Sequence, residues 1–182
     1  MDKDKIELKV QEISKGMSYK GIYVLLLQEA NGQRKMPIMI GHVESQMLIS
    51  KLRPGQSIGS VLPDLFLKVT DAFHIHLEEI FIYKVEDGTF QAYLFYEHNG
   101  EIEHVGAKAS DAVLMALTYG APIYISRTLF ERQYMKNVGE GAVSIPINSL
   151  NVELLQEALE NAIREENYEL ASQLRDEINR RK

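Results

Sequence analysis

Residues 106–126, GAKASDAVLMALTYGAPIYIS, hold a strand end, a sharp entry into a helix, a glycine stop and a second short strand. Ser110 and Asp111 stand where a helix N-cap and first turn belong, beside N–H groups that a helix leaves unpaired and a positive dipole end. Gly120 suits the left-handed residue that closes a helix, and Pro122 forbids continuation. Lys108 lies two positions before the expected cap. A cation, a hydroxyl and a carboxylate thus crowd one helix start, which either caps the helix or receives a phosphate.

Upstream, Ile6, Leu8 and Val10 alternate with charged and polar residues, the pattern of a half-buried strand. Residues 21–30 read as a more buried strand and 33–40 as its return, with Met36, Ile38 and Ile40 on one face. Asn31-Gly32 predicts a tight hairpin with positive φ between them. Helical spacing covers 44–52 (Val43, Met47, Leu48, Leu52), and Pro54-Gly55 breaks it. A second helix follows Pro63, where Leu65, Phe66, Val69 and Phe73 recur at three- and four-residue steps. Strands are expected at 76–85, 89–97 and 101–107, joined by Asp87-Gly88 and Asn99-Gly100. Residues 127–136 read as one more helix or an irregular cover. The order of hairpins and helices predicts an α+β fold: a mainly antiparallel mixed sheet with packed helices, then a C-terminal αα-hairpin.

The expected boundaries are a first domain at 1–136, a linker at 137–150 holding Gly139, Gly141 and Pro146, and a helical hairpin at 151–182. In the hairpin Leu155, Ala158, Leu159 and Ala162 share one face, and Tyr168, Ala171, Leu174 and Ile178 another, with Asn167 at the turn. The seam either docks on the first domain or meets another chain. An exposed sheet edge and this seam together predict a homo-oligomer.

The 182-residue chain contains no cysteine, which excludes disulfides, thiol nucleophiles and Cys-ligated zinc. Its N-terminus is charged, and its longest apolar runs, such as residues 23–27, are too short to span a bilayer. A cytoplasmic location without a membrane role is expected. The formal net charge of −6 disfavours nonspecific coating of nucleic acid. It is compatible with a nuclease, whose metal-holding carboxylates add negative charge.

Three segments carry a family resemblance. Arg34-Lys35-Met36-Pro37-Ile38-Met39-Ile40-Gly41 with Glu44 resembles an LPIxIGxxE strand-to-helix turn. Asp87-Gly88-Thr89-Phe90-Gln91-Ala92-Tyr93-Leu94 resembles a DGTFYAxL strand, and Lys108-Ala109-Ser110-Asp111-Ala112 running on to Pro122-Ile123-Tyr124 resembles an RPSDAIALA…PIYV block. In that order over residues 5–135 they resemble the bifunctional nuclease domain family. The resemblance implies metal-assisted hydrolysis of DNA and RNA phosphodiesters. It places the functional residues at Glu44, Asp64, Lys108, Ser110 and Asp111. Glu44, Asp64 and Asp111 would hold a divalent ion, Mg²⁺ or Mn²⁺, Lys108 would steady the phosphate and Ser110 would donate to it.

The chain departs from the family pattern at two places. Where the family has RPxTHDL, residues 59–65 read GSVLPDL, keeping Asp64 and Leu65. Lys108 replaces an Arg, which keeps charge without the bidentate fork. These departures support an alternative: a catalytically degenerate interaction or regulatory module in DNA repair or a protease complex. Residues 168–178, Tyr168-Glu169-x-Ala171-x-x-Leu174-Arg175-Asp176-x-Ile178, resemble the UVR motif, the hairpin that joins the B and C subunits of the bacterial excinuclease. It implies association with another UVR-type or coiled-coil protein through 151–182.

Other residues have ordinary and functional readings side by side. The three acids all begin helices, where the dipole favours them anyway. His74, His76 and Glu78 are read on one strand face, as a zinc pair with a third group or as an ordinary polar face. His42, beside Gly41, is placed to act as a base. Phe90, Tyr93, Phe95 and Tyr96 either stack bases or pack the sheet.

Overall fold

The computed structural model describes residues 4–15, 23–53, 62–137, 143–144 and 147–181. The break at Pro54-Gly55, the 59–61 part of the family segment, and Gly139, Gly141 and Pro146 lie outside the described residues. Nine strands and six helices are described: β1 (Lys5–Lys15), β2 (Tyr23–Glu29), β3 (Lys35–Ile40), α1 (His42–Leu52), α2 (Leu62–Ala72), β4 (His76–Glu86), β5 (Thr89–His98), β6 (Glu101–Lys108), α3 (Ala109–Tyr119), β7 (Ile123–Ser126), α4 (Arg127–Gln133), β8 (Lys136–Asn137), β9 (Val143–Ser144), α5 (Val152–Arg164) and α6 (Tyr168–Arg180).

Seven strands form one sheet in the order β3-β2-β1-β7-β4-β5-β6. All neighbours are antiparallel except β4 and β7, which run parallel. The fold is therefore α+β with a mixed, mainly antiparallel sheet. The alternation of apolar residues sends Ile6 and Leu8, Leu25 and Leu27, Met36 and Ile38, Ile80 and Ile82, and Ile123 and Ile125 to one buried face. There they meet Leu48 of α1, Ala112, Val113 and Ala116 of α3, and Phe130 of α4. The four-residue β7 is inserted between β1 and β4, joining the two hairpin systems.

The turns follow local chemistry in two cases and tertiary contacts in the third. Asp87 and Gly88 (φ 49° and 77°) and Asn99 and Gly100 (φ 54° and 83°) take the left-handed conformations of two-residue hairpin turns. Asn31-Gly32 does not. β2 and β3 close instead through the longer loop 30–34, with the Glu29 N–H donating to the Arg34 carbonyl at 3.1 Å. Arg34 holds this loop by donating to Glu29 from Nε and Nη2 (3.0 and 2.6 Å) and to Glu131 of α4 from Nη1 (2.7 and 2.9 Å). That side-chain clamp replaces the turn type that the dipeptide alone favours. Gly120 closes α3 in the left-handed conformation, as its position suggested.

The helix α2 forms where the spacing places it, but its recurring apolar residues stay in water, and its buried residues are Pro63 and Thr70. His74 lies in the turn before β4, with φ 55°, so His74 and His76 do not share a strand face. In the C-terminal hairpin, Leu155, Ala162, Ala171, Leu174 and Ile178 form a core of their own. The seam is thus filled by the two helices themselves, with Ile147 and Leu150 packed against it. Tyr168 is the exception to the expected face, since it is exposed. Asn151 and Asn167 cap the helices by accepting from Leu154 N–H (2.9 Å) and Leu170 N–H (3.2 Å). Arg181 donates to the carbonyls of Leu150 and Asn148, fastening the turn before α5 to the end of α6.

Candidate functional site

β3 ends at Ile40, and Gly41 opens α1 with an extended backbone and no side-chain cap. Glu44 in the first turn folds back over that start: a methyl group at Gly41 would come 2.6 Å from Glu44 Oε2. The absence of a side chain at Gly41 is what admits the carboxylate. Across the sheet, β6 ends at Lys108, which is also the residue preceding α3. Lys108 makes no capping bond with its side chain. Ser110 is therefore the second helical residue and Asp111 the third. Neither caps the helix, contrary to the cap expected at that pair.

The two uncapped helix starts converge on a cleft of about 110 Å³ lined by Gly41, Glu44, Thr89, Lys108, Ser110 and Asn151. Cavities for drug-sized ligands begin near 300 Å³, so this one takes a single small charged group. Its walls carry the Lys108 ammonium, the Glu44 carboxylate and the Ser110 hydroxyl. Ser110 is 9% exposed and its hydroxyl makes no hydrogen bond among the described residues. The Asp111 carboxyl is pushed above the ordinary range chiefly by desolvation, with Lys108 opposing the rise and the Glu44 charge adding to it. Asp111 nevertheless keeps an open side to solvent.

Glu44, Lys108 and Ser110 line the cleft, Asp111 lies outside its lining but within electrostatic reach of Lys108 and Glu44, and Asp64 is remote from all of them. Asp64 pairs with Lys51 in the last turn of α1. Glu44 and Lys51 are seven residues apart, about 10 Å along a helix, so Asp64 sits at the opposite end of α1 from the cleft. Among the described residues no three His, Asp or Glu side chains come close enough to hold a metal ion. The three-carboxylate donor set expected for Mg²⁺ or Mn²⁺ does not assemble here. Asp64 acts as an acid at the start of α2 with a lysine partner, the ordinary reading of such a residue.

The remaining candidates separate in the same way. His42 lies 3.1 Å from the Tyr23 hydroxyl and packs against that ring, outside the cleft lining. Phe90 is buried in the core and also forms part of the cleft wall, while Tyr96 packs edge-on against Phe66 and Tyr119. Tyr93 and Phe95 lie on the other face of the sheet, where Tyr93 stacks on Tyr83 at 4.2 Å. Three cleft residues, Gly41, Thr89 and Asn151, carry no advance assignment. Gly41 and Thr89 lie inside the quoted motifs, and Asn151 is brought to the cleft only by how the tail returns. The turn before α5 lies against the β4–β5 turn, where a side chain on Gly88 would overlap the Leu150 carbonyl.

Residues 25–138 match the model of the bifunctional nuclease domain. The chain belongs to the bifunctional nuclease domain family. Residues 151–182 match the UvrB/uvrC motif. The cleft is lined from both matches: Glu44, Thr89, Lys108 and Ser110 come from the bifunctional nuclease domain and Asn151 from the UvrB/uvrC motif. Two Mycobacterium tuberculosis proteins, Uncharacterized protein MT1877 (strain CDC 1551 / Oshkosh) and Uncharacterized protein Rv1829 (strain ATCC 25618 / H37Rv), are each 35% identical to this chain over 106 residues. The match covers 58% of this chain and 63% of each relative. Among the described residues no helix is long and apolar enough to cross a membrane.

Proposed function

We propose that the bifunctional nuclease domain of this chain engages and hydrolyses a nucleic-acid phosphodiester at the α1/α3 corner, while the UVR hairpin tethers it to a protein partner. The convergence of Lys108, the unbonded hydroxyl of Ser110 and two uncapped helix starts on one small cleft supports this reading. Open helix N–H groups and an ammonium group match the oxygens of a phosphate, and Ser110 donates to one of them. Glu44 takes a proton from water as the new phosphorus–oxygen bond forms. Asp111, outside the cleft lining but next to Ser110 in the first turn of α3, returns a proton to the leaving oxygen as the old bond breaks. Lys108 offsets the charge that develops on the phosphoryl oxygens. No step is routed through a metal ion, because Asp64 is held by Lys51 away from Glu44 and Asp111, and no three carboxylates gather among the described residues.

The test is cleavage of single- and double-stranded DNA and RNA by the full chain with Mg²⁺, with Mn²⁺ and with chelator. Cleavage is expected, and Lys108→Ala or Glu44→Gln should each lower kcat/KM roughly 100-fold. Asp64→Asn should leave the rate within about threefold. Neither cleavage nor binding on any substrate would defeat the proposal.

A second reading has its own support. With Asp64 committed to Lys51, the corner would bind a phosphate without cutting it, and the protein would be a regulatory module. Retained binding with no cleavage under every metal condition would select it. The exposed Ile163, Tyr168 and Leu170, flanking the turn of the hairpin, suit docking of another UVR-type or coiled-coil segment in either case.

A further inference from the structure

The strand β4 outruns its neighbour β7. The residues of β4 that pair with β7 are Ile80, Phe81 and Ile82, and β4 continues to Glu86. Beyond Ile82 its edge on that side meets no strand among the described residues. The helix α4 stands there instead, and the tail contributes Asn148 and Arg180. Together they enclose a cavity of about 560 Å³. It shares no lining residue with the α1/α3 cleft. Its volume falls within the roughly 300–1,000 Å³ of small-molecule sites and is far more than a bare ion needs.

Gln133 of α4 forms part of the wall. The residue is 1% exposed, and its Oε1 is buried with no hydrogen-bond partner among the described residues. Buried amide oxygens are ordinarily paired, and an unpaired one costs the fold its desolvation. An N–H group on a ligand would satisfy it.

Tyr83 adds a flat wall. One face of its ring lies on Tyr93 of β5 at 4.2 Å, with the planes 5° apart. β5 and β7 flank β4 on opposite sides. The register that sets Phe81 beside Tyr124 carries on to set Tyr83 beside Ser126. A serine is too short to cover a ring, so the second face of Tyr83 stays open to the cavity.

Three cations line the same cavity. Lys84 is paired with Glu86, and Arg180 with Glu177. Arg132 is exposed and makes no ion pair among the described residues. The cavity thus offers a buried acceptor, an open aromatic face and an uncommitted guanidinium.

We infer that this cavity binds an adenosine monophosphate, with the base stacked on Tyr83, its edge on Gln133 and its phosphate on Arg132. A glutamine amide fits adenine because it accepts from the exocyclic amino group and donates to N7. Aromatic rings stack on any base, and a guanidinium takes two phosphate oxygens by parallel bonds. Glu86 and Asp87 also stand on the wall, so the site suits one phosphate and repels a longer chain of them. The ligand would touch the bifunctional nuclease domain through Gln133 and Arg132 and the UVR hairpin through Arg180. Binding here does not depend on cleavage at the α1/α3 corner.

The test is calorimetric titration of the full chain with adenosine monophosphate, guanosine monophosphate, adenosine and inorganic phosphate. Adenosine monophosphate should bind at one site per chain, and each of the others roughly 10-fold or more weakly. Arg132→Ala, at an exposed position, should weaken adenosine monophosphate by roughly 10-fold or more. Gln133→Leu, close in size, should weaken it about as much by removing the acceptor, and should leave inorganic phosphate unchanged. Lys108→Ala, in the other cleft, should leave adenosine monophosphate within about twofold. No binding of adenosine monophosphate, by calorimetry or by saturation-transfer NMR, would overturn the proposal. So would equal affinity for the guanosine nucleotide, or a loss that follows Lys108→Ala and spares Arg132→Ala, which would place the nucleotide in the α1/α3 cleft.

Discussion

Replacing Arg34 with alanine should destabilise the domain by about 2 kcal/mol at neutral pH, and the loss should shrink in acid. The guanidinium joins three elements. Its two bonds to Glu29 are partly buried and charge-assisted, contributing about 1–2 kcal/mol together. The pair with Glu131 is more exposed and contributes about 0.5 kcal/mol or less. The guanidinium carbon also lies 5.0 Å from the ring centres of both Phe130 and Tyr134, which adds about 0.5–1 kcal/mol. These terms overlap, so about 2 kcal/mol is the expected sum, or a fall in Tm of roughly 4–8 °C for a chain of this size.

The pH dependence of this loss has a definite sign. Arg34 holds the Glu29 carboxyl below its ordinary value of 4.5, first through the side-chain hydrogen bond, against an opposing desolvation. A depressed acid stabilises the fold above the unfolded value, and that share is lost as pH falls through the lower folded value. Urea unfolding of wild type and Arg34→Ala at pH 7 and at successive steps below pH 4.5 should show the gap narrowing. A gap under about 0.5 kcal/mol at pH 7, or one that does not change in acid, would refute the reasoning. Arg34→Lys should recover only part of the loss, because an ammonium cannot fork to two carboxylates and stack.

Two further outcomes follow from the site. Gly88→Val combines a left-handed backbone (φ 77°) with overlap onto the Leu150 carbonyl. It should cost about 1–3 kcal/mol and speed amide exchange in the first turn of α5, read by mass spectrometry; unchanged exchange would mean that the tail is not seated there. Asp111→Asn should stabilise the fold at neutral pH by less than about 1 kcal/mol after solvent screening. A raised acid binds more protons folded than unfolded, so the wild-type chain loses stability as pH rises from its ordinary 3.8 through the folded value. The variant should lack that slope in urea unfolding, and an identical slope would contradict the crowding at Asp111.

Much of the local structure is legible in the sequence because it is set by neighbours along the chain. Period-two alternation placed β1 and β3, the Asp-Gly and Asn-Gly turns placed β4 to β6, and helical spacing placed α1, α2 and both tail helices within a few residues. Asp87-Gly88 and Asn99-Gly100 dictate their turns through backbone sterics alone. The motif segments also named most of the corner, since Gly41, Glu44, Thr89, Lys108 and Ser110 fall inside them. Asn31-Gly32 has the same local preference and does not follow it, because Arg34 reaches Glu29 and Glu131 and fixes a longer loop.

Long-range placement alone decided the rest. Nothing near residue 64 in the sequence says that Asp64 meets Lys51 at one end of α1 while Glu44 turns over the other. Nor does the spacing of Leu65, Phe66, Val69 and Phe73 say which way their stripe faces, since helical periodicity marks a common face without saying what covers it. The short β7, slotted between β1 and β4, brings the two hairpin systems into one sheet. Local sterics and periodicity determine which elements form, whereas the contacts between distant elements determine which charges share a cleft and which apolar surfaces remain in water.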